Sequence, residues 1–124
     1  MSDFTKLRVW ETSHQLTVKT YKLTAKLPRE EVFGLVNQLR RAAVSVESNL
    51  AEGESRYTTK DKINFFIQSR SSAAEVQTQL FVIEDIYPKL ASEAKELKEE
   101  YDSIGKQINS LIRFRRSLTY AKTQ

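Results

Sequence analysis

Chain breakers limit this sequence more than any other feature: its 124 residues contain only two prolines and three glycines. Pro28 and Pro88 divide the chain, and Gly34, Gly53 and Gly105 are the other easy turning points. So few punctuation points cannot supply the turns of a sandwich or barrel, and they favour long uninterrupted helices. No segment sustains the apolar–polar alternation of a half-buried strand. The length suits one domain, 1–124, with one core.

Apolar spacing predicts four helices, at about residues 7–27, 30–52, 59–86 and 92–120. In the first, Trp10, His14, Thr17, Tyr21, Thr24 and Leu27 recur at helical steps, with Leu16, Val18 and Leu23 widening the face. Pro28 ends it, because the residue before a proline resists helical angles. The second opens on Glu30 and Glu31, favoured at the positive end of a helix dipole. Its seam is Leu35, Leu39, Ala42, Val46 and Asn49, and Gly53 is its expected stop. Thr58 with Asp61 resembles a capping box opening the third helix, and Ser92 is the expected cap for the fourth. Leu97, Tyr101, Ile104, Ile108, Leu111, Arg115 and Leu118 give that last helix a sustained heptad. Short connections make neighbours antiparallel, so the expected fold is all-α, an up-down-up-down four-helix bundle.

The formal charge of +4 is unevenly spread. Residues 1–28 carry five basic and two acidic side chains, and residues 88–124 carry eight and five, so each segment is +3. Residues 29–57 and 58–87 are each −1. The acids of the last segment lie in its first half, from Glu93 to Asp102. After them come Lys106, Arg113, Arg115, Arg116 and Lys122, with no acid among them. In an antiparallel bundle this basic end meets Lys6 and Arg8. The expected site is therefore Lys6, Arg8, Arg113, Arg115 and Arg116, with Arg40 as an addition. It would bind phosphate backbones by salt-sensitive attraction, or else meet an acidic protein surface.

Catalysis finds no support in the residues. There is no Cys, so thiolate metal sites, disulfides and cysteine nucleophiles are excluded. His14 is the single histidine, and Glu11 with His14 forms one Glu-x-x-His pair where a di-iron bundle needs two. Phosphate-binding glycine loops and nucleophile elbows are absent. The expectation is no enzyme, no metal and no cofactor. The lack of Cys, of a signal-like N-terminus and of a long apolar run predicts a cytoplasmic protein with no membrane contact.

The most unusual stretch is Gln38 to Gly53, polar where a bundle helix could be apolar. Arg41, Ser45, Ser48, Asn49 and Glu52 recur at helical steps, and Ser72 and Glu75 match them on the third helix. They could form an internal hydrogen-bond network, with Glu52 or Glu75 pairing Arg41, or could line a subunit interface or ligand site.

Taken with Trp10, the Pro28–Leu35 turn and the set Ser72, Glu75, Gln79 and Leu80, this stretch resembles a known family. It is the bacterial four-helix-bundle proteins encoded within intervening sequences of 23S ribosomal RNA genes, similar in fold to the accessory variability determinant of diversity-generating retroelements. The resemblance covers about residues 7–90. It departs at Ser71, where the family often has Gly, and in one extra residue of the Pro-to-Gly turn. It implies a homo-oligomer, a pentamer of bundles arranged around an axis. It also implies nucleic-acid binding by a basic surface, as for the retroelement relative. Phe65, Phe81 and Phe114, surplus to a single seam, agree with some surface being covered. The expected function is a non-enzymatic homo-oligomeric bundle binding RNA or DNA, the alternative being a structural or protein-partner adaptor.

Overall fold

The computed structural model describes residues 3–123, with side chains to Leu118. A short 3₁₀ turn at Phe4–Lys6 leads into α1 (Arg8–Thr24). A 3₁₀ turn at Arg29–Glu31 and a π-helical turn at Val32–Val36 run directly into α2 (Asn37–Ser55). Then come α3 (Thr59–Ile86), a 3₁₀ turn at Pro88–Leu90, and α4 (Ala91–Thr123). The described residues contain no strand, and the fold is an all-α four-helix bundle.

Cross-helix contacts establish antiparallel neighbours. Between α1 and α4, Lys19 meets Glu100 and Lys26 meets Glu93, both at 2.9 Å. Between α1 and α2, Arg40 bonds Thr24 and His14 bonds Glu47. Ser45 meets Ser72 across α2 and α3, and Arg70 meets Asn109 across α3 and α4. The start of α1, the end of α2, the start of α3 and the end of α4 therefore share one end of the bundle.

The middle of the expected α2 and α4 seams is buried, whereas Leu35, Asn49, Leu111 and Arg115 are only half-buried. Leu50 and Ile112 take the core places beside Asn49 and Leu111. Leu39, Ala42, Val46 and Leu50 of α2 pack with Ile63, Phe66, Ala73, Val76, Leu80 and Ile83 of α3. Leu97, Tyr101, Ile104, Ile108 and Ile112 of α4 complete the core. Leu118, assigned to the α4 heptad from its spacing, is exposed, because the core has ended before it.

In α1 the expected Leu16, Thr17, Leu23, Thr24 and Leu27 are buried, but the rest of the stripe shifts. Val9, Ser13, Leu16, Thr20, Leu23 and Leu27 face the core, whereas His14 and Tyr21 are exposed and Trp10 is half-buried. The hydroxyls explain this. Ser13 donates to the Val9 carbonyl at 2.7 Å, Thr20 to Leu16 at 2.8 Å and Thr24 to Thr20 at 2.8 Å. Each satisfies itself four residues back along its own helix, so burial costs it little.

Helix boundaries differ from expectation at several points. The second helix takes α geometry only at Asn37, after the 3₁₀ and π turns. Ser92, the expected cap, lies inside α4, which starts at Ala91. The α geometry of α1 ends at Thr24, ahead of Pro28, and Leu27 is buried in the turn that follows. Gly53 does not stop α2. It lies within the helix, buried, with no positive φ. A Cβ there would come 2.7 Å from Phe66 and 3.0 Å from the Lys62 carbonyl oxygen. Its role is close approach of α2 to α3, which Ser69 locks by donating to the Val46 carbonyl at 2.6 Å. The Thr58 cap forms as expected, its hydroxyl accepting from the Asp61 amide at 3.1 Å. No helix among the described residues is long and apolar enough to cross a membrane.

Candidate nucleic-acid interface

The shared end of the bundle gathers cations from all four helices. Arg8 opens α1 and is exposed. Arg56 follows α2, Lys60 and Lys62 lie in the first turns of α3, and Arg113, Arg115 and Arg116 lie near the end of α4. Their environments differ. Lys6 pairs locally with Asp3 at 3.2 Å, and Arg56 with Glu52 at 2.7 Å. Arg115 crosses to Glu54 at 2.7 Å, half-buried, with its guanidinium 5.6 Å from the centre of the Phe66 ring. Lys62 donates to the Glu54 carbonyl at 2.7 Å. Arg113 donates to Ser110 at 3.1 Å. Among the described residues, no carboxylate lies within 4.0 Å of Arg8, Lys60, Arg113 or Arg116.

Arg40 is not part of this end. Its Nε donates to Thr24 at 2.9 Å and its guanidinium covers the Tyr21 ring at 4.4 Å, against the last turn of α1. Antiparallel packing brings α2 to the basic end only through its last residues, so Arg40, near its start, is carried away. The expected charge set also omitted Arg56, Lys60, Lys62 and Arg70. The signal was available: antiparallel order alone puts the turn between the second and third helices at the same end. Arg70 required the fold, since it joins the α4 surface by donating to Asn109 at 2.8 Å, one turn before Arg113. Lys122 lies outside the described side chains.

The polar set of α2 divides. Ser45 and Ser72 share a hydrogen bond of 2.8 Å, and Asn49 donates to the Ser45 carbonyl at 2.9 Å and to its hydroxyl at 3.0 Å, all half-buried between α2 and α3. Arg41, Ser48 and Glu75 are exposed instead. Glu52 pairs with Arg56 and not with Arg41, because Arg56 follows it by one helical turn. Arg41 and Glu75 border a shallow surface groove with Gln38 and Ser45, but no ion pair closes it.

His14 stacks on Trp10, ring centres 5.3 Å apart and planes within 3°, and its Nδ1 lies 2.8 Å from Glu47. Phe4 packs edge-on against Trp10 at 5.0 Å. The single histidine thus ties α1 to α2. Among the described residues no three His, Asp or Glu side chains gather as metal ligands would.

The family model of the 23S rRNA-intervening sequence protein matches residues 5–110. The chain belongs to this family. The match takes in α1, α2, α3 and α4 as far as Ser110, so it includes the Ser45–Ser72 contact and the Gly53 approach. The arginines Arg113, Arg115 and Arg116 lie past its end. No curated protein matches the chain.

Proposed function

We propose that this member of the 23S rRNA-intervening sequence family is a non-enzymatic, self-associating bundle that binds nucleic acid through its basic end. One observation carries the binding reading: Arg8, Lys60, Arg113 and Arg116 converge from three helices without a carboxylate partner among the described residues. Unpaired, exposed cations suit a polyanion, whose condensed counterions are released on binding. Arg70 extends the cationic surface along the α3–α4 groove. Self-association is supported by exposed apolar side chains, among them Phe81 at 53%, Ile86 at 58% and Phe114 at 56%. Val18, Tyr21 and Val44 add a strip across α1 and α2. A ring, with five copies as the resemblance implies, would repeat the basic end and raise its avidity.

Fluorescence anisotropy with labelled RNA and DNA tests the binding. The logarithm of affinity is expected to fall linearly with the logarithm of salt concentration, by roughly 0.9 for each duplex phosphate neutralised. Absence of binding at low salt overturns the reading. Light scattering after size exclusion tests the assembly, and a monomer overturns it.

A further inference from the structure

Resting on that basic-end reading, we propose that the turn between α2 and α3 makes the site selective for single-stranded nucleic acid, with Tyr57 and the Arg56 guanidinium as surfaces on which bases stack. Tyr57 has a relative exposure of 101%, so its ring is as open to water as in an extended chain. It contributes nothing to the core. It sits between the last residue of α2, Ser55, and the Thr58 cap of α3. An aromatic ring held in water by a short, well-capped turn is free to receive a planar partner at small entropic cost, since both flanking helices are already fixed.

Arg56, beside it, is fixed differently. Glu52 holds its guanidinium at 2.7 Å, and the guanidinium lies 4.7 Å from the centre of the Phe65 ring. Phe65 thus supports one side of the guanidinium, and the side chain remains 44% exposed. A planar cation backed in this way offers its outer side to a base. Cations surround the pair: Lys60 stands exposed in the first turn of α3. Arg115, reaching Glu54 in the last turn of α2, brings the end of α4 alongside.

Duplex and single strand part company at this site. Both present phosphates to Lys60, Arg113 and Arg116. Only a single strand presents unstacked base faces, because in a duplex they are covered by neighbouring pairs. Stacking on exposed aromatic rings is sequence-tolerant and favours the single strand.

The test is anisotropy with a labelled oligothymidylate and with a DNA duplex of equal length, across a salt series. The wild-type chain is expected to bind the single strand more tightly. Tyr57→Ala should weaken single-strand binding about tenfold, leaving duplex binding and the salt slope unchanged, while Tyr57→Phe keeps wild-type affinity. Circular dichroism should show both variants folded as the parent, since Tyr57 touches no core. Equal affinity for both forms, or an unchanged Tyr57→Ala, overturns the stacking inference and leaves the basic-end reading standing. Failure of the wild-type chain to bind either form overturns both.

Discussion

The two ends of this bundle use charge in opposite ways. At the end where α1 finishes and α4 begins, carboxylates and cations meet across helices: Lys19 with Glu100, Lys26 with Glu93, and Lys98 with Glu84 at 2.6 Å. Tyr87 donates to Glu31 at 2.6 Å, linking the end of α3 to the turn before α2. At the other end most pairs are local. Lys6 meets Asp3 and Arg56 meets Glu52 within one turn, while Arg115 with Glu54 joins two helices. Charge at the first end fixes which helix lies beside which. Charge at the second is in excess of what the fold uses. A net charge of +4 conceals this, because it averages a neutralised end with a cationic one.

The contrast breaks most visibly by charge reversal. Arg113→Glu with Arg116→Glu should lower nucleic-acid affinity about a hundredfold or more at low salt and flatten the salt dependence by roughly two phosphate contacts. Lys22→Glu with Lys95→Glu, near the compensated end, should change affinity far less, though it reverses charge equally. Equal losses in the two variants, measured by anisotropy, would mean that the ends do not differ in function.

Alkaline pH probes the joint between α1 and α4. Burial pushes the Tyr101 hydroxyl up to about 12, with Thr20 at 3.4 Å as its partner. The folded chain thus favours the neutral phenol more than the unfolded chain does. That preference stabilises fully below about pH 10 and is lost as pH rises through about 12, a change on the order of 2–3 kcal/mol. Tyr101→Phe should remove this part of the alkaline loss in chemical-denaturation curves. The hydrogen bond to Glu31 raises Tyr87 to about 12 as well, so Tyr87→Phe serves as the comparison for a half-buried phenol raised by a carboxylate partner.

Four helices were legible because two prolines, a Thr58 cap and heptad spacing all act locally. The middle of the α2 and α4 seams was legible for the same reason, whereas Leu50 and Ile112, one residue past Asn49 and Leu111, were not. The face of α1 was legible only in part: Leu16, Thr17, Leu23, Thr24 and Leu27 are buried as expected, but spacing alone treats Ser13 and Thr20 as polar and Trp10 and Tyr21 as core. Buried hydroxyls that bond back to their own helix reverse that ranking. Gly53 read as a stop because its type suits one, whereas its reason for being Gly is Phe66 on another helix. The basic end was half legible: charge along the chain located Arg8 and Arg113, but partner counting needed the fold, which neutralised Arg115 and moved Arg40 away.

Gly53→Ala separates these two readings of the glycine at the basic end. Helix propensity alone favours Ala by about 1 kcal/mol. An added Cβ would meet Phe66 at 2.7 Å and the fixed Lys62 carbonyl at 3.0 Å. The expected net result is destabilisation of about 1–3 kcal/mol in thermal or urea melts, because α2 and α3 must part. A stabilised variant would show that α2 has slack there, and that Glu54 and Arg115 are not held in register by this approach.

The smallest effect tests whether the compensated end is energetically strong or only specific. The Lys26–Glu93 pair is 56% and 40% exposed, so Lys26→Ala should cost less than about 1 kcal/mol and be masked by salt. Lys98 differs: its side chain is 14% exposed, Glu84 is 23% exposed, and its ammonium lies 3.5 Å from the centre of the Phe81 ring. Removing it leaves a carboxylate poorly solvated and an aromatic face uncovered, so Lys98→Ala should cost more than Lys26→Ala and keep that cost in high salt. If the two variants melt alike, cross-helix pairing at this end contributes orientation without stability. The bundle would then be held by its apolar seams alone, with charge free to be spent on binding at either end.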